Sequence, residues 1–568
     1  MGKNKEDNAF RAIILTAAVI VIISAVVCIF MLFMRGKELN VKPADSDNEQ
    51  KGEFIGFVIP AEDKFCSSKE QLDVSVSVKK GATAYAMISG QKISLESSSQ
   101  STDGYEIMSG SFILPKAQTY SQGLGNVAFF VTYDGITQIC YGGKITVNAL
   151  SQSENTNTLT DSTSSAELLT GTTKALVVTG AITDCKEITE NELFFNPTYG
   201  NLVSGMTDYV TAKIIDFDDD GKEVEFYKLL SGRAVRADDN VRLIDTNSVM
   251  TYNSVSLSSQ PSSEGGKIIM SETSRVPYKL RYVGQSFTKG YEKLPYNVKP
   301  FCAEAVDFIF ENTVSFSGSL SDFSDGVVSG VTVSLNPDDK TLILHCQLKR
   351  PGKFYGYIME YDQSGNLCIS FRQPVRSLSE LTVIIDPGHG GNPGAVDYTE
   401  KYREADQTLA VSKHLAAYLS SAGATVYMTR TADTEVSLEQ RRLMNQQIKP
   451  DLFISIHLNG AESKSKNGTS TYYFTPFSQP LASFINNRIV GIFSDCYSDN
   501  PDMLKNVNGG DRYYPFFVTR TDVCPSVLIE LGFFTNELES KYLIDPAYQQ
   551  AFGRAIYEAV GDFITSER

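Results

Sequence analysis

The sequence predicts a multidomain chain: an N-terminal transmembrane helix, a series of all-β modules, and a C-terminal α/β domain whose mainly parallel sheet is flanked by helices. Three observations predict it. Residues 12–34 carry no charged side chain. Between 53 and 376, short segments alternate apolar and polar residues, the period of half-buried strands, with glycines between them. After Leu381, short apolar runs alternate with stretches of helical period, the mark of strands covered by helices.

The chain has 568 residues, which at about 100–200 per domain means three or four domains. Lys and Arg number 51 against 67 Asp and Glu, a net charge of −16 that argues against a nucleic-acid partner. The hydrophobic fraction of 42% suits globular domains. Trp is absent, so a carbohydrate platform would have to use Tyr and Phe. There are only four histidines, His345, His389, His414 and His457, so histidine chemistry can be checked exhaustively. None of the nine cysteines forms a C-x-x-C pair, which excludes a zinc ribbon or thioredoxin-type motif.

As a helix, Ala12 to Met34 spans about 34 Å, enough for a hydrocarbon layer of about 30 Å. The run is too long for the apolar core of a cleavable signal peptide and lacks its cleavage site, so an uncleaved anchor is expected. Lys3, Lys5 and Arg11 precede it and Arg35, Lys37 and Lys42 follow, which leaves orientation tied by charge. The short head, residues 1–11, is expected to stay in the cytoplasm.

Residues 53–149 read as an immunoglobulin-like β-sandwich, with Leu72–Val78 alternating and Tyr141–Val147 as a closing strand. Cys66 and Cys140 bracket this module and are its favoured disulfide, with scattered buried thiols as the alternative. Residues 150–173 are rich in Ser, Thr and Asn and read as a flexible linker. A small β-barrel-like module is expected over 174–260. Its Asp218-Asp219-Asp220 lacks the alternating carboxylates of a calcium loop and reads as a hairpin turn. A second β-sandwich is expected over 270–376, with His345 as a structural residue on one of its strands.

In the C-terminal domain, 381–568, Val383-Ile384-Ile385 leads into Asp386-Pro387-Gly388-His389-Gly390-Gly391. A histidine between glycines at a strand tip suits a ligand with backbone room around it. A phosphate-cradling loop would need the Lys-Ser/Thr pair that is missing here. A helix follows, about Glu404 to Ser421, with Leu415, Ala416 and Leu419 on its apolar face. Asp451–His457 is a buried-type strand ending in histidine, and Ser526–Glu530 is one ending in a carboxylate. Ligands bind beyond the carboxyl ends of strands in open α/β sheets, so His389, His457 and Glu530 are expected to converge, with Glu404 at a helix start. Two His and one Glu can supply three ligands to Zn²⁺, leaving a position for water and a fourth carboxylate to handle its proton.

On these residues the last third of the chain resembles the zinc-dependent N-acetylmuramoyl-L-alanine amidase family. The matching stretches are Ile384–Gly391, Pro393–Val396, Phe453–Asn459 and Pro525–Asn536. The resemblance implies hydrolysis of the amide between the lactyl group of muramic acid and L-alanine of the stem peptide. It implies Zn²⁺ on His389, Glu404 and His457, with Glu530 as general base and acid. Asp386 is either a support behind the ligands or the cap of its own turn. The family's ligand Glu is usually followed by Lys, where Ala405 stands here, so Glu400 in the same loop competes with Glu404. Arg441 matches a family position, while Gln446 stands where Asn is common. Tyr472, Tyr473, Tyr513 and Tyr514 line a glycan groove or pack the core, and His414 reads as a surface residue.

With peptidoglycan as substrate, the resemblance puts the catalytic domain on the wall side of a single-pass cell-membrane protein. The β modules are then wall-spanning spacers, wall binders or contacts for envelope proteins. Two other readings stay open: a zinc peptidase cutting within the stem peptide, and a catalytically inactive wall-binding regulator.

Overall fold

The structure, a computed structural model, describes residues 53–566 apart from positions 68, 103, 116–121, 148–166, 169–172, 179–181, 184, 190–191, 198–199, 218–222, 232, 239, 247–251, 262–264, 286–299, 322 and 324–325. The apolar run 12–34 with its flanks, most of the 150–173 linker and the acidic triplet 218–220 lie outside the described residues. Among those described, no helix is long and apolar enough to cross a membrane.

An 11-stranded sheet organises the C-terminal domain and the first β module together. Its main strands are β1 (Thr83–Ile88), β2 (Gln91–Ser94), β3 (Gln122–Tyr133), β4 (Ile136–Val147), β5 (Thr382–Pro387), β6 (Thr425–Met428), β7 (Leu452–Asn459), β8 (Thr469–Tyr473), β9 (Asn508–Tyr513) and β10 (Ser526–Phe533). Across the sheet they run β9-β8-β10-β7-β5-β6-β4-β3-β1-β2. Strands β10, β7, β5 and β6 are parallel, and β8 is antiparallel to β10. The main helices are α1 (Glu404–Ser421), α2 (Leu438–Ile448), α3 (Gln479–Cys496) and α4 (Pro546–Ser566).

Unbroken apolar runs form the parallel strands because both faces of the sheet are covered. Val383 and Ile385 of β5 pack with Leu415 of α1, Ile485 of α3 and Phe552 of α4, while Ile384 faces the other way, onto Met444 of α2 and Phe453.

The first module, expected as a β-sandwich of its own over 53–149, shares its sheet with the C-terminal domain. Strand β4 pairs in parallel with β6, placing Ile136 opposite Val426, Thr137 opposite Tyr427 and Gln138 opposite Met428. The run Val127-Ala128-Phe129-Phe130-Val131 explains the docking. Val127, Phe129 and Val131 fill the module's own core with Val74 and Val76. Ala128 and Phe130, with Ile139, instead pack against Met444, Phe453 and Leu528. Each large apolar side chain buried this way contributes about 1.5–3 kcal/mol, and the otherwise free edge of β6 is covered.

Cys66 and Cys140 are both buried, but they are not bonded to each other. Cys66 lies opposite Val147, seven places beyond Cys140 on β4. That separation is about 23 Å at about 3.3 Å per residue, far beyond the ~7 Å between Cα atoms that a disulfide tolerates.

A second boundary also moves. Strand Asn253–Gln260, expected in the second module, pairs with Lys267–Glu272 and Thr313–Gly318 in a five-stranded sheet of the third. Its Val255 and Leu257 share a core with Ile268 and Met270. Residues 167–168 and 173, expected in the linker, lie in strands that pair with Lys213, Ala212 and Thr246 of the second module.

The second and third modules meet the C-terminal domain at Asp522, just before β10. Its Oδ2 accepts the N–H groups of Gly200 at 3.1 Å and Asn201 at 3.2 Å, and its carbonyl accepts that of Tyr357 at 2.9 Å. Buried Arg233 donates to the Gly200 carbonyl at 2.5 Å, and the Tyr278 and Tyr357 hydroxyls are 2.7 Å apart. Burial pushes the Asp522 carboxyl from its ordinary 3.8 up to about 6, against the Asn201 and Gly200 N–H groups that favour its charge. A carboxyl raised on folding adds stability that is complete below its unfolded pKa and lost as pH rises through the folded one. The shift corresponds to roughly 3 kcal/mol. Wild type should therefore lose roughly this much stability relative to Asp522→Asn between pH 4 and pH 7. Thermal midpoints of both proteins check this, and an identical gap at the two pH values would refute it.

Candidate active site

His457 and Glu530 lie opposite each other in the parallel register of β7 and β10, with an irregularity in the pairing directly after them. The strands run on to Asn459 and Phe533, so both residues sit inside strands rather than at their last positions. Such bulges re-aim side chains beside active sites.

His389 follows β5 with φ at +59°, a left-handed conformation uncommon for a residue with a Cβ. Strain of this kind is about 1–3 kcal/mol and persists only where the surroundings hold it. Here Arg441 Nη2 donates to the His389 carbonyl at 2.5 Å, and the Gly388 N–H donates to the Ile456 carbonyl at 2.9 Å. Two glycines let the parts approach. A Cβ on Gly388 would lie 2.4 Å from the His457 ring. One on Gly394, whose φ is +68°, would lie 2.5 Å from the His389 ring and 2.7 Å from Glu404 Oε2.

Glu404 opens α1 after Arg403, which stays extended, and its carboxylate is buried. Glu404 Oε1 lies 3.0 Å from His389 Nε2 and 3.0 Å from His457 Nδ1, and accepts the Leu458 N–H at 2.9 Å. Oε2 accepts the Ala395 N–H at 2.7 Å. Burial would raise the Glu404 carboxyl, but the bonds from His389 and His457 outweigh it and hold the group well below the usual carboxylate range.

These three ligand atoms all lie within 4.8 Å of one another. A four-coordinate zinc with bonds of about 2.0–2.2 Å would separate its ligand atoms by about 3.3–3.6 Å, so the two 3.0 Å contacts of Glu404 Oε1 would open by a few tenths of an ångström. Two imidazole nitrogens and a carboxylate oxygen are also the donor types zinc takes.

Glu530 stands beside this cluster and is not part of it. Its Oε2 is buried without a hydrogen-bond partner, and burial, then the charge of Glu404, push its carboxyl well above the usual range. Asp386 lies at the base of the loop that carries His389. It accepts the Thr429 hydroxyl at 2.6 Å and the Ser455 hydroxyl at 2.7 Å, and pairs with Arg441, which also bonds the Pro387 carbonyl at 2.8 Å. Burial works against its charge, yet Arg441 and the two hydroxyls hold the Asp386 carboxyl below its ordinary value. Support, rather than capping of its own turn, describes Asp386.

The competitor Glu400 is exposed and outside the cluster. His345 belongs to the third module, where its Nδ1 lies 2.7 Å from buried Asp307. His414 is half-buried on α1 beside Gly553 of α4 rather than at a free surface. Tyr473 and Tyr513 are buried, and Tyr472 packs edge-on against Phe516 at 5.1 Å, so these rings serve the core. Tyr514 packs against Phe516 as well, 4.4 Å between centroids.

Sequence reasoning misses Arg430. It is fully buried, donating to the carbonyls of Pro387 at 3.0 Å and of Gly388 and Ala405 at 2.7 Å each. Burial and neighbouring Arg441 push it down to about 10. The available signal is a charged residue two positions past the end of strand β6, at the same end of the sheet as His389 and His457.

The sequence model of N-acetylmuramoyl-L-alanine amidase, Amidase_3, matches residues 383–562. A probable cell wall amidase, LytH of Staphylococcus aureus, is 34% identical over 187 residues, which are 32% of this chain and 58% of that protein. The chain thus spans little more than half the length of this relative. Among solved structures, an N-acetylmuramoyl-L-alanine amidase of Clostridium difficile 630 is 32% identical over 33% of this chain and 97% of that one, with a TM-score of 0.30. The amidase AmiC2 of Nostoc punctiforme is 31% identical over 33% of this chain and 97% of its own, with a TM-score of 0.29.

Proposed function

We propose, on the premise that the domain at residues 383–562 belongs to the N-acetylmuramoyl-L-alanine amidase family, that this chain hydrolyses the amide between the lactyl group of N-acetylmuramic acid and L-alanine in peptidoglycan. The observation that carries this reading is the convergence of His389, Glu404 and His457 beside the unpaired Oε2 of Glu530. The two imidazoles and Glu404 would hold Zn²⁺. When bound, the ion supplies Lewis acidity to the scissile carbonyl and to water, whose pKa falls to about 7 in such sites. Glu530 takes the proton of the attacking water on its free oxygen and returns it to the departing L-alanine nitrogen. Arg430 and Arg441 grip the carbonyls of residues 387–389 and keep the His389 imidazole from swinging away.

The uncharged run 12–34 is read as the membrane anchor, with the catalytic domain on the wall side where peptidoglycan lies. The test is mass spectrometry of muropeptides digested by the whole chain, with and without a chelator. Stem peptides with a free L-alanine amine are expected, and the chelator should abolish them. Shortened stems still attached to muramic acid would establish a peptidase instead, and an absence of products would leave a wall-binding protein.

A further inference from the structure

The segment 429–434, which follows β6, touches Asp386, the loop that carries His389 and the start of α1. Thr429 donates to Asp386 Oδ1 at 2.6 Å. Arg430 bonds the Pro387 and Gly388 carbonyls on one side and the Ala405 carbonyl on the other. Asp433 accepts the Gly391 N–H at 3.0 Å and Arg403 Nη1 at 2.9 Å. Gly391 lies two residues past His389, and Arg403 directly precedes Glu404. The segment therefore ties the loop carrying one ligand to the helix start carrying another.

From its opposite side the first β module holds the same segment. The Thr431 hydroxyl donates to Gln138 Oε1 at 2.5 Å and accepts the Glu53 N–H at 3.1 Å. Thr431 is 2% exposed and Gln138 1%, so water cannot replace either partner. Gln138 is delivered by the pairing of β4 with β6, which sets it opposite Met428, three places before Thr431.

We propose that the first β module is a positioning part of the active centre: Gln138, acting through Thr431, fixes segment 429–434 and thereby the relative placement of His389 and Glu404. The inference rests on reading His389, Glu404 and His457 as metal ligands. Removing either partner of this buried hydrogen bond forfeits its hold on the segment, so the segment relaxes even though the sheet stays paired.

The test uses the full chain and three variants. Gln138→Ala and Thr431→Val remove the contact from its two sides. Tyr141→Phe removes a different bond across the same interface, from the Tyr141 hydroxyl to Gln447 Oε1 at 3.0 Å, without touching 429–434. Zinc affinity of the metal-free protein is measured by competition with a chromogenic chelator, alongside amide exchange over residues 387–392 and kcat and KM. Gln138→Ala and Thr431→Val should bind zinc about 10–100-fold more weakly, exchange faster over 387–392, and lose kcat with KM little changed. Tyr141→Phe should match wild type in every readout. Wild-type zinc affinity and exchange in Gln138→Ala would overturn the proposal, as would an equal loss in Tyr141→Phe, which would mean that the interface only stabilises. A wild-type chain that binds zinc without cleaving the wall would overturn the proposed function, while the zinc affinities would still decide this inference.

Discussion

Replacing Glu530 with Gln should lower kcat by about 10²–10⁴-fold while bound zinc stays at the wild-type ratio. The two halves of this expectation have separate causes. Zinc is retained because Glu530 lies outside the group of ligand atoms formed by His389, Glu404 and His457. Gln has the same shape, so the pairing of β10 with His457 and the irregularity after it are undisturbed. Turnover is lost because an amide can neither take the proton of water nor return it. Burial and the neighbouring Glu404 charge push the Glu530 carboxyl well above the usual carboxylate range. Release of stem peptides and metal content are to be measured on one sample. Unchanged kcat would remove Glu530 from proton transfer, and a fall in zinc would make it a ligand instead.

Much of this centre is legible in the sequence because parallel strands buried on both faces are written as apolar runs. A polar residue that closes such a run, as His457 closes Leu452–Ile456 and Glu530 closes Ser526–Ile529, stands out for that reason. Glu404 is less visible. It sits at a helix start, and spacing alone does not separate it from Glu400. The structure shows what spacing cannot: Glu404 is buried among two imidazoles and two backbone N–H groups, while Glu400 is exposed. The pairing of β4 with β6 leaves no local signal, since it joins segments far apart in the chain. Its one trace is the unbroken run from Val127 to Val131, where a one-sided sandwich strand would alternate. Strand Asn253–Gln260 shows the same limit, because alternation identifies a strand without naming its partner. Arg430 is hidden for a different reason: a charged side chain reads as surface until the four carbonyls that receive it are placed in space.

Exchanging Glu404 for Gln should weaken zinc binding by at least about 10–100-fold, the loss typical even for residues one step removed from a metal, and cost about 1–3 kcal/mol of folding stability for the one N–H it leaves unbonded. The amide oxygen of Gln can still accept the Leu458 and Ala395 N–H groups that bond the two Glu404 oxygens at 2.9 and 2.7 Å, one of them at a time. Without its charge, however, it is a poor partner for a divalent cation. Glu404→Ala goes further, stranding both buried donors at about 1–3 kcal/mol each, so it should lose zinc and also unfold at lower temperature. Glu400→Ala should change neither property, since Glu400 is exposed and its side chain lies outside the ligand group. Metal content after dialysis against a weak chelator, read beside thermal midpoints of the metal-free proteins, separates the three variants. Stoichiometric zinc in Glu404→Gln, or its loss in Glu400→Ala, would transfer the third ligand to the loop and break the link between the start of α1 and the two histidines.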